Sequence, residues 1–547
     1  MHLSTRPSAR AAAITAFAAA LGLIAAGCGG GSSTPAPGGG SDGSPATGGG
    51  GATGTLIIDT SFIAKTLDPQ RDLQPTALMA NKATYDTLMS SKGAETTPEP
   101  SLATSVTASK DATTYTFKLR TDVVFSDGTP LTSKDVVFSF NRLVNLNDSP
   151  GFLLAGVTTT APDKSTVVLK SKTPNPAIPS IVTSPALGIV NSTVVKAHGG
   201  DDSANAAKLD KAEKFLNANS AGSGPYILKS FTTNDKITLA VNPKYWGTKP
   251  AFEDVVLRNM QAPTQLLNVQ RGTNEIALDL SAQQATSVKP NSKLQVETSA
   301  SPNLFTLQTN QDPKISPVTA NPKIQEAIRN GINYAGMVAT AGTGAVQAAG
   351  IIPIQFLGGL PTDQAFKGDV NKAKQLVAES GIKDPSIELN YPSDISVNGL
   401  QFATLAQRVA ADLGAIGIKV KLIAEPVATF LPKYADGKDQ MAQSYWGPDY
   451  ADPNDYLVFA PGGSVAARMN WKTGADPAIE ELAKQAGSTS DDAVRKDLFT
   501  QIQQKMNVQS PWIPLIQPAQ AIVGSSNLTG VVLNPVWTLD ISAVAAK

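Results

Sequence analysis

Apolar and polar positions alternate and recur along this chain in ways that predict both strands and helices. Thr55 to Asp59 opens as a short apolar strand. Tyr115, Phe117 and Leu119 alternate with Thr116, Lys118 and Arg120, the period of two that marks a half-buried strand. Thr132 to Asp135 has the form of a capping box, and Val136, Val137, Phe140 and Leu143 follow at helical spacing. Asn321-Pro322 supplies an N-cap and a first-turn proline for a helix that turns Ile324, Ala327, Ile328 and Ile332 to one side. A second helix is predicted from Asp369 to Ser380, with Val370, Ala373, Leu376 and Val377 inside and Gly381 as its stop. A third runs from Leu400 to Leu413 and passes through Gly414 and Gly417 into the alternating strand Ile418 to Leu422. Helix followed by strand, repeated, is the grammar of an α/β fold. Ser203 to Gly224 is polar and alanine-rich and reads as surface helix and loop, and no tandem repeat is present.

The N-terminus follows a different pattern. Arg6 and Arg10 precede an uncharged apolar run from Ala11 to Ala25 that is too short to span a bilayer comfortably. Residues 1–27 therefore read as a secretory signal. Cys28, the only cysteine, follows Ala25-Ala26-Gly27 and resembles the lipobox of bacterial lipoproteins, although Ala25 stands where leucine is usual. The alternative is a plain signal with an incidental cysteine. Residues 28–54 would then be a lipidated cysteine and a Gly/Ser/Pro tether, spanning roughly 25–30 Å as a flexible coil. Removing the signal takes away two arginines and no acid, which leaves the remainder with two more acidic than basic residues. No later apolar stretch is long enough to span a membrane.

Composition then narrows the chemistry. The 547 residues carry 45 basic and 45 acidic side chains, so no overall positive field exists to attract nucleic acid. Two histidines and one cysteine exclude an intrachain disulfide and a Cys₄ or Cys₂His₂ metal site, and no metal or cofactor is expected. Only His198 would remain after processing, in a polar loop-like setting, so a nucleophile–base pair has no obvious base. Gly342 to Gln347 imitates the start of a dinucleotide fingerprint but lacks its third glycine and preceding strand. Paired carboxylates from distant positions stay open.

Several segments, taken in order, resemble the extracellular solute-binding proteins of family 5, the oligopeptide- and dipeptide-binding lipoproteins of ABC importers. They are Thr66-Leu67-Asp68-Pro69, Tyr85 to Leu88, Pro100 to Ala103, and Tyr115 to Arg120 running on through Phe125 to Thr132 and Asp135 to Phe140. Gly222 to Tyr226, Asn242 to Trp246, Ile324 to Ala335 and Trp446 to Pro453 continue the series, with Gln325 and Ala335-Gly336 departing from the usual Arg and Asp. Most of these have a structural reading as turns, strand entries or packing residues.

The resemblance implies an α/β fold of the large class II, cluster C periplasmic-binding type, with two lobes and two hinge crossings. Lobe I would span 55–303, with an extra subdomain at about 86–205. Lobe II would span 304–512, and 513–547 would return to lobe I. The crossings would fall at Asn303 to Leu307 and near Trp512 to Leu515. In peptide-binding members the aspartate of the Trp446 segment pairs with the ligand's ammonium, which points to Asp449, with Trp446 walling the site. Tyr445, Asn303, Phe305 and Gln74, in the loop Gln70 to Pro75, are further candidates for lining the cleft. The partners implied are a peptide or other small solute, a permease with its ATPase subunits, and the extracytoplasmic membrane face through the lipid, with the protein acting as a monomer. An oligosaccharide, an opine or a metal-chelate is the alternative ligand. A secreted hydrolase and a passive surface lipoprotein are rivals of other classes.

Overall fold

A computed structural model describes residues 54–61 and 64–547. The predicted signal, Cys28 and nearly all of the tether lie outside the described residues. No described helix is long and apolar enough to cross a membrane.

Three sheets organise the chain. The first has seven strands in the order Leu294–Ala300, Ala519–Ser525, Glu275–Ala277, Thr55–Thr60, Asp254–Asn259, Lys236–Val241 and Tyr226–Thr232. The second has six, in the order Val346–Gln347, Trp512–Gln517, Leu304–Thr309, Met441–Trp446, Ser386–Pro392 and Lys419–Glu425. Each is mixed: Thr55–Thr60 lies parallel to both of its neighbours, and Ser386–Pro392 does the same in the second sheet. Parallel pairs need crossover connections, and the intervening helices supply them. A smaller antiparallel sheet, Ala103–Ala108, Thr114–Leu119, Thr166–Ser171 and Val157–Asp163, packs with the helix Ser133–Leu146 around its own apolar core.

The sequence patterns become these elements for identifiable reasons. Thr132 and Asp135 close the capping box at the start of Ser133–Leu146. Asn321 caps the helix Pro322–Gly331 by accepting from the Lys323 and Ile324 amides, and its Ile324, Ala327 and Ile328 are wholly buried. Val370 departs from expectation. It stands at the first turn of Val370–Glu379, 45% exposed, while Ala373 and Leu376 point inward. The strand expected at Ile418–Leu422 is Lys419–Glu425.

The chain passes between the two large sheets twice, at places shifted from those expected. Leu304 to Leu307 already pair within the second sheet, and so do Trp512 to Gln517. The crossings are therefore Ser301-Pro302-Asn303 and the single residue Pro518, and the return to the first sheet begins at Ala519, not at 513. The two crossings are tied together. Ser301 N–H donates to the Pro518 carbonyl at 2.8 Å, and Gln517 Nε2 donates to the Ser301 carbonyl at 2.7 Å.

Candidate ligand-binding site

A cavity of about 400 Å³ lies between the two large sheets and their loops. Two further cavities share lining residues with it. One, of about 260 Å³, shares Gln74, Asn303, Tyr445 and Gln520 with it. The other, of about 370 Å³, shares Trp446, Asp449 and Arg468. Cavities this size, with an apolar wall and a few convergent polar groups, suit a small organic ligand.

The strand Met441–Trp446 delivers one wall. Its side chains alternate, so Tyr445 and Trp446 point to opposite faces of the sheet. Tyr445 is 39% exposed and lines the cavity. Phe305 stands opposite it in the strand pairing but is fully buried and does not line the cavity. Its ring lies 5.0 Å from that of Phe402 and 6.2 Å from that of Tyr445. Phe305 is thus a support beneath the two aromatic rings that do reach the cavity: the strand pairing puts it on the same face as Tyr445, and the Phe402 and Tyr445 rings cover it. Trp446 packs edge-on to Phe459 at 5.3 Å, and the Arg468 guanidinium sits 5.8 Å above its ring.

Immediately after the strand, the chain turns through Gly447 and Pro448 to Asp449. The Asp449 N–H donates to Asp455 Oδ2 at 2.9 Å, while its own carboxylate has neither an ion pair nor a hydrogen-bond donor among the described residues. Burial pushes its carboxyl up to about 6. Asp455 lies beneath it, also raised, first by burial and then by the charge of Asp449. The Trp446 indole N–H is near enough to ease the charge on Asp455 without completing a hydrogen bond of normal geometry. The other acid of this segment has a different role. Asp452 pairs with the buried Arg495 and caps the short helix Pro453–Phe459 through the Asn454 amide.

Asn303 lines both of the first two cavities and donates from Nδ2 to Asn398 Oδ1 at 2.9 Å. Gln74 also lines both, but the loop before it is largely structural. Gln70 is fully buried, with Nε2 donating to the Gly188 carbonyl at 2.8 Å. Arg142, also fully buried, donates to Asp68 and to Gln70 Oε1 at 2.7 Å each, and to Asp210 at 2.8 Å. Asp72 then accepts from the Gln74 amide at 2.9 Å. Only Leu73, Gln74 and Pro75 from this loop reach the main cavity.

Arg468 is the principal group that the sequence did not single out. It lies over both Tyr434 and Trp446 and has no carboxylate within ion-pairing distance among the described residues. Nothing local in Ala467-Arg468-Met469 marks it, since its place depends on a fold that brings it to the cavity wall. Gln520 and the segment Asn534 to Thr538 likewise line the cavity from the far end of the chain. His198 is exposed and stacks on Phe215 at 3.7 Å, away from these cavities.

The other quoted motifs lie in the packing between elements. Asp86 accepts from Trp246 Nε1 and from Ser223 Oγ, each at 2.8 Å, so three segments meet at one buried carboxylate. A Cβ on Gly222 would come within 2.1 Å of the Thr84 carbonyl oxygen, which leaves room for glycine alone.

The chain is similar to known proteins over most of its length. The chain is 28% identical over 492 residues to the "Probable D,D-dipeptide-binding periplasmic protein DdpA" of Escherichia coli K12, covering 88% of this chain and 92% of that protein. It is 25% identical over 517 residues to "Di/tripeptide-binding protein 2" of Pseudomonas aeruginosa, covering 90% and 94%. Its fold matches DppA of Helicobacter pylori, solved with the peptide STSA, at a TM-score of 0.74 and 23% identity, over 90% of this chain and 98% of that one. The family model "Bacterial extracellular solute-binding proteins, family 5 Middle" matches residues 97–466. With more than half its length inside that match, the chain belongs to the family 5 extracellular solute-binding proteins.

Proposed function

We propose that this protein captures short peptides with a free amino terminus between its two lobes and presents them to an ABC importer, acting as a binding protein and not as an enzyme. The observation that carries the reading is Asp449. A carboxylate raised by burial, facing a cavity and lacking a cation of its own, is costly to ionise, and a ligand ammonium would relieve that cost. Trp446 and Tyr445 offer aromatic surface beside it, while Asn303, Gln74 and Gln520 offer main-chain partners. Arg468 supplies positive charge for a carboxylate of the same ligand. The relatives named for dipeptides and tripeptides support the peptide reading over a saccharide, an opine or a metal-chelate.

Calorimetry tests it. Ala-Ala should bind the wild type, and both N-acetylation of the peptide and Asp449→Asn should weaken binding by about 2–5 kcal/mol, the usual cost of stranding one member of a buried charged pair. The two changes together should cost little more than either alone. Equal affinity for the free and acetylated peptides would remove the ammonium from the account. Anchoring through a lipid on Cys28 is part of the same proposal, and a Cys28→Ser protein that stays in the membrane fraction would refute it.

A further inference from the structure

Two glycine-bearing turns on the second sheet's side rest against one helix start on the first sheet's side. The strands Ser396–Val397 and Leu400–Gln401 are joined by Asn398 and Gly399 alone, at φ 51° and 74°, the backbone that a two-residue hairpin turn requires. Val397 and Leu400 are buried in the core of the second sheet, so the hairpin belongs to that side. Its tip reaches the other. A Cβ on Gly399 would stand 3.1 Å from both Cα and Cβ of Ser281. Ser281 caps the helix Ala282–Val288, whose Ala285 and Val288 pack with Ala521 and Val523 of the first sheet. The second turn begins the run Gly342 to Gln347. Gly342, at φ 87°, ends the helix Tyr334–Ala341, and a Cβ there would stand 3.1 Å from the Ala282 Cβ. A Cβ on Gly344 would come within 2.6 Å of Thr298 Cγ2, in the edge strand of the first sheet. Glycine lets backbone approach this closely at all three places.

Resting on the peptide reading for what drives closure, we propose that these turns are the stop that sets how far the two sheets close on a ligand, with Gly399 on Ser281 as the leading contact. The position of the hairpin carries the argument. Ser396, Val397 and Asn398 line the cavity of about 260 Å³ together with Thr60, Ser61 and Asp279 from the other side. The tip therefore lies on the cavity's side of the crossings. Rotation that narrows the cavities drives Gly399 onto Ser281, and rotation that opens them draws the two apart. Asn398 also accepts from Asn303, which ties the tip to one crossing. Backbone meeting the first turn of a packed helix is a hard stop, because neither side has a long side chain that can swing away. A side chain at 399 would halt closure early, and groups on the two sides would then meet a ligand less fully.

Small-angle scattering and calorimetry with Ala-Ala on the full chain test the stop. Asparagine tolerates a positive φ, so Gly399→Asn and Gly342→Asn add bulk at small backbone cost. Gly381→Asn and Gly474→Asn are the matched controls, because those glycines have the same φ, 74° and 87°, and nothing within 4 Å of an added Cβ. Melting curves confirm that each variant folds. At saturating Ala-Ala the wild type and both controls should reach the same reduced radius of gyration. The two wedged variants should stop at a larger radius and bind Ala-Ala about tenfold more weakly, the scale of one overpacked contact. Wedged variants that reach the wild-type radius at saturation overturn the stop whatever their affinity, since a merely damaged hairpin weakens binding without moving the end-point of closure. A wild type that neither binds nor compacts with Ala-Ala refutes the peptide reading, and this inference falls with it.

Discussion

Among the residues of the site, Asp449 has an environment that stability should register directly. Its carboxyl sits at about 6 in the folded protein against an ordinary value of 3.8. Between those values the folded protein holds a proton that the unfolded chain has already released, so stability falls as pH rises through this window. Above about pH 6 the ionised, unpaired carboxylate is a standing cost to the ligand-free protein. Asp449→Asn should therefore raise the unfolding free energy of the ligand-free protein by about 1–2 kcal/mol at pH 7.5, allowing for its partial contact with water, and by almost nothing near pH 4. Thermal unfolding across that range measures it. A gain that does not change with pH would mean that the carboxylate is not strained. A residue that is harmful to the empty protein and helpful to the loaded one is the usual mark of a site shaped by function. Its neighbour Asp452 teaches the converse, since the same local sequence carries an acid already satisfied by Arg495. Sequence separated these two roles only through resemblance. Burial and partners separate them physically.

At the scale of elements, the sequence spoke clearly where local physics decides. The capping box at Thr132, the proline-led helix at Asn321 and the alternating strand around Phe117 all formed as their patterns required. It spoke poorly where tertiary pairing decides. Trp512 to Ile516 is apolar throughout and equally compatible with either sheet. Its pairing with Leu304–Thr309 moved the second crossing to Pro518. Phe305 looked like a cleft residue because it neighbours Asn303, yet the rings of Phe402 and Tyr445 cover it. Arg468 and Gln520 could not be seen at all, as each reaches the site from a distant part of the chain.

The loop ahead of Gln74 shows how an element is held in place. Arg142 bridges Asp68 and Asp210, with all three side chains fully buried. Arg71 adds a partly exposed second cation to the same two acids, at 3.3 and 3.0 Å. Replacing Arg142 by Met would strand buried carboxylates that Arg71 covers only in part. The expected loss is about 3–5 kcal/mol in a urea unfolding curve, toward the lower end because Arg71 remains. A loss under about 1 kcal/mol would mean the network is dispensable.

For the whole molecule, the arrangement that matters is two sheets between which the described chain passes at Ser301-Pro302-Asn303 and Pro518, with the ligand cavities between them. Two short crossings bonded to each other form a hinge that concentrates rotation in a few residues. A ligand can favour closure only through contacts made to both sides at once. Here one side offers Gln74, Gln520 and Thr538, and the other offers Tyr445, Trp446 and Asp449. The central claim is that a peptide's ammonium at Asp449 completes this bridge. Small-angle scattering with and without ligand tests it most directly. Adding Phe-Ala should reduce the radius of gyration, and adding its N-acetylated form at the same concentration should leave it unchanged. No compaction with the free peptide, or equal compaction with both, would contradict the account.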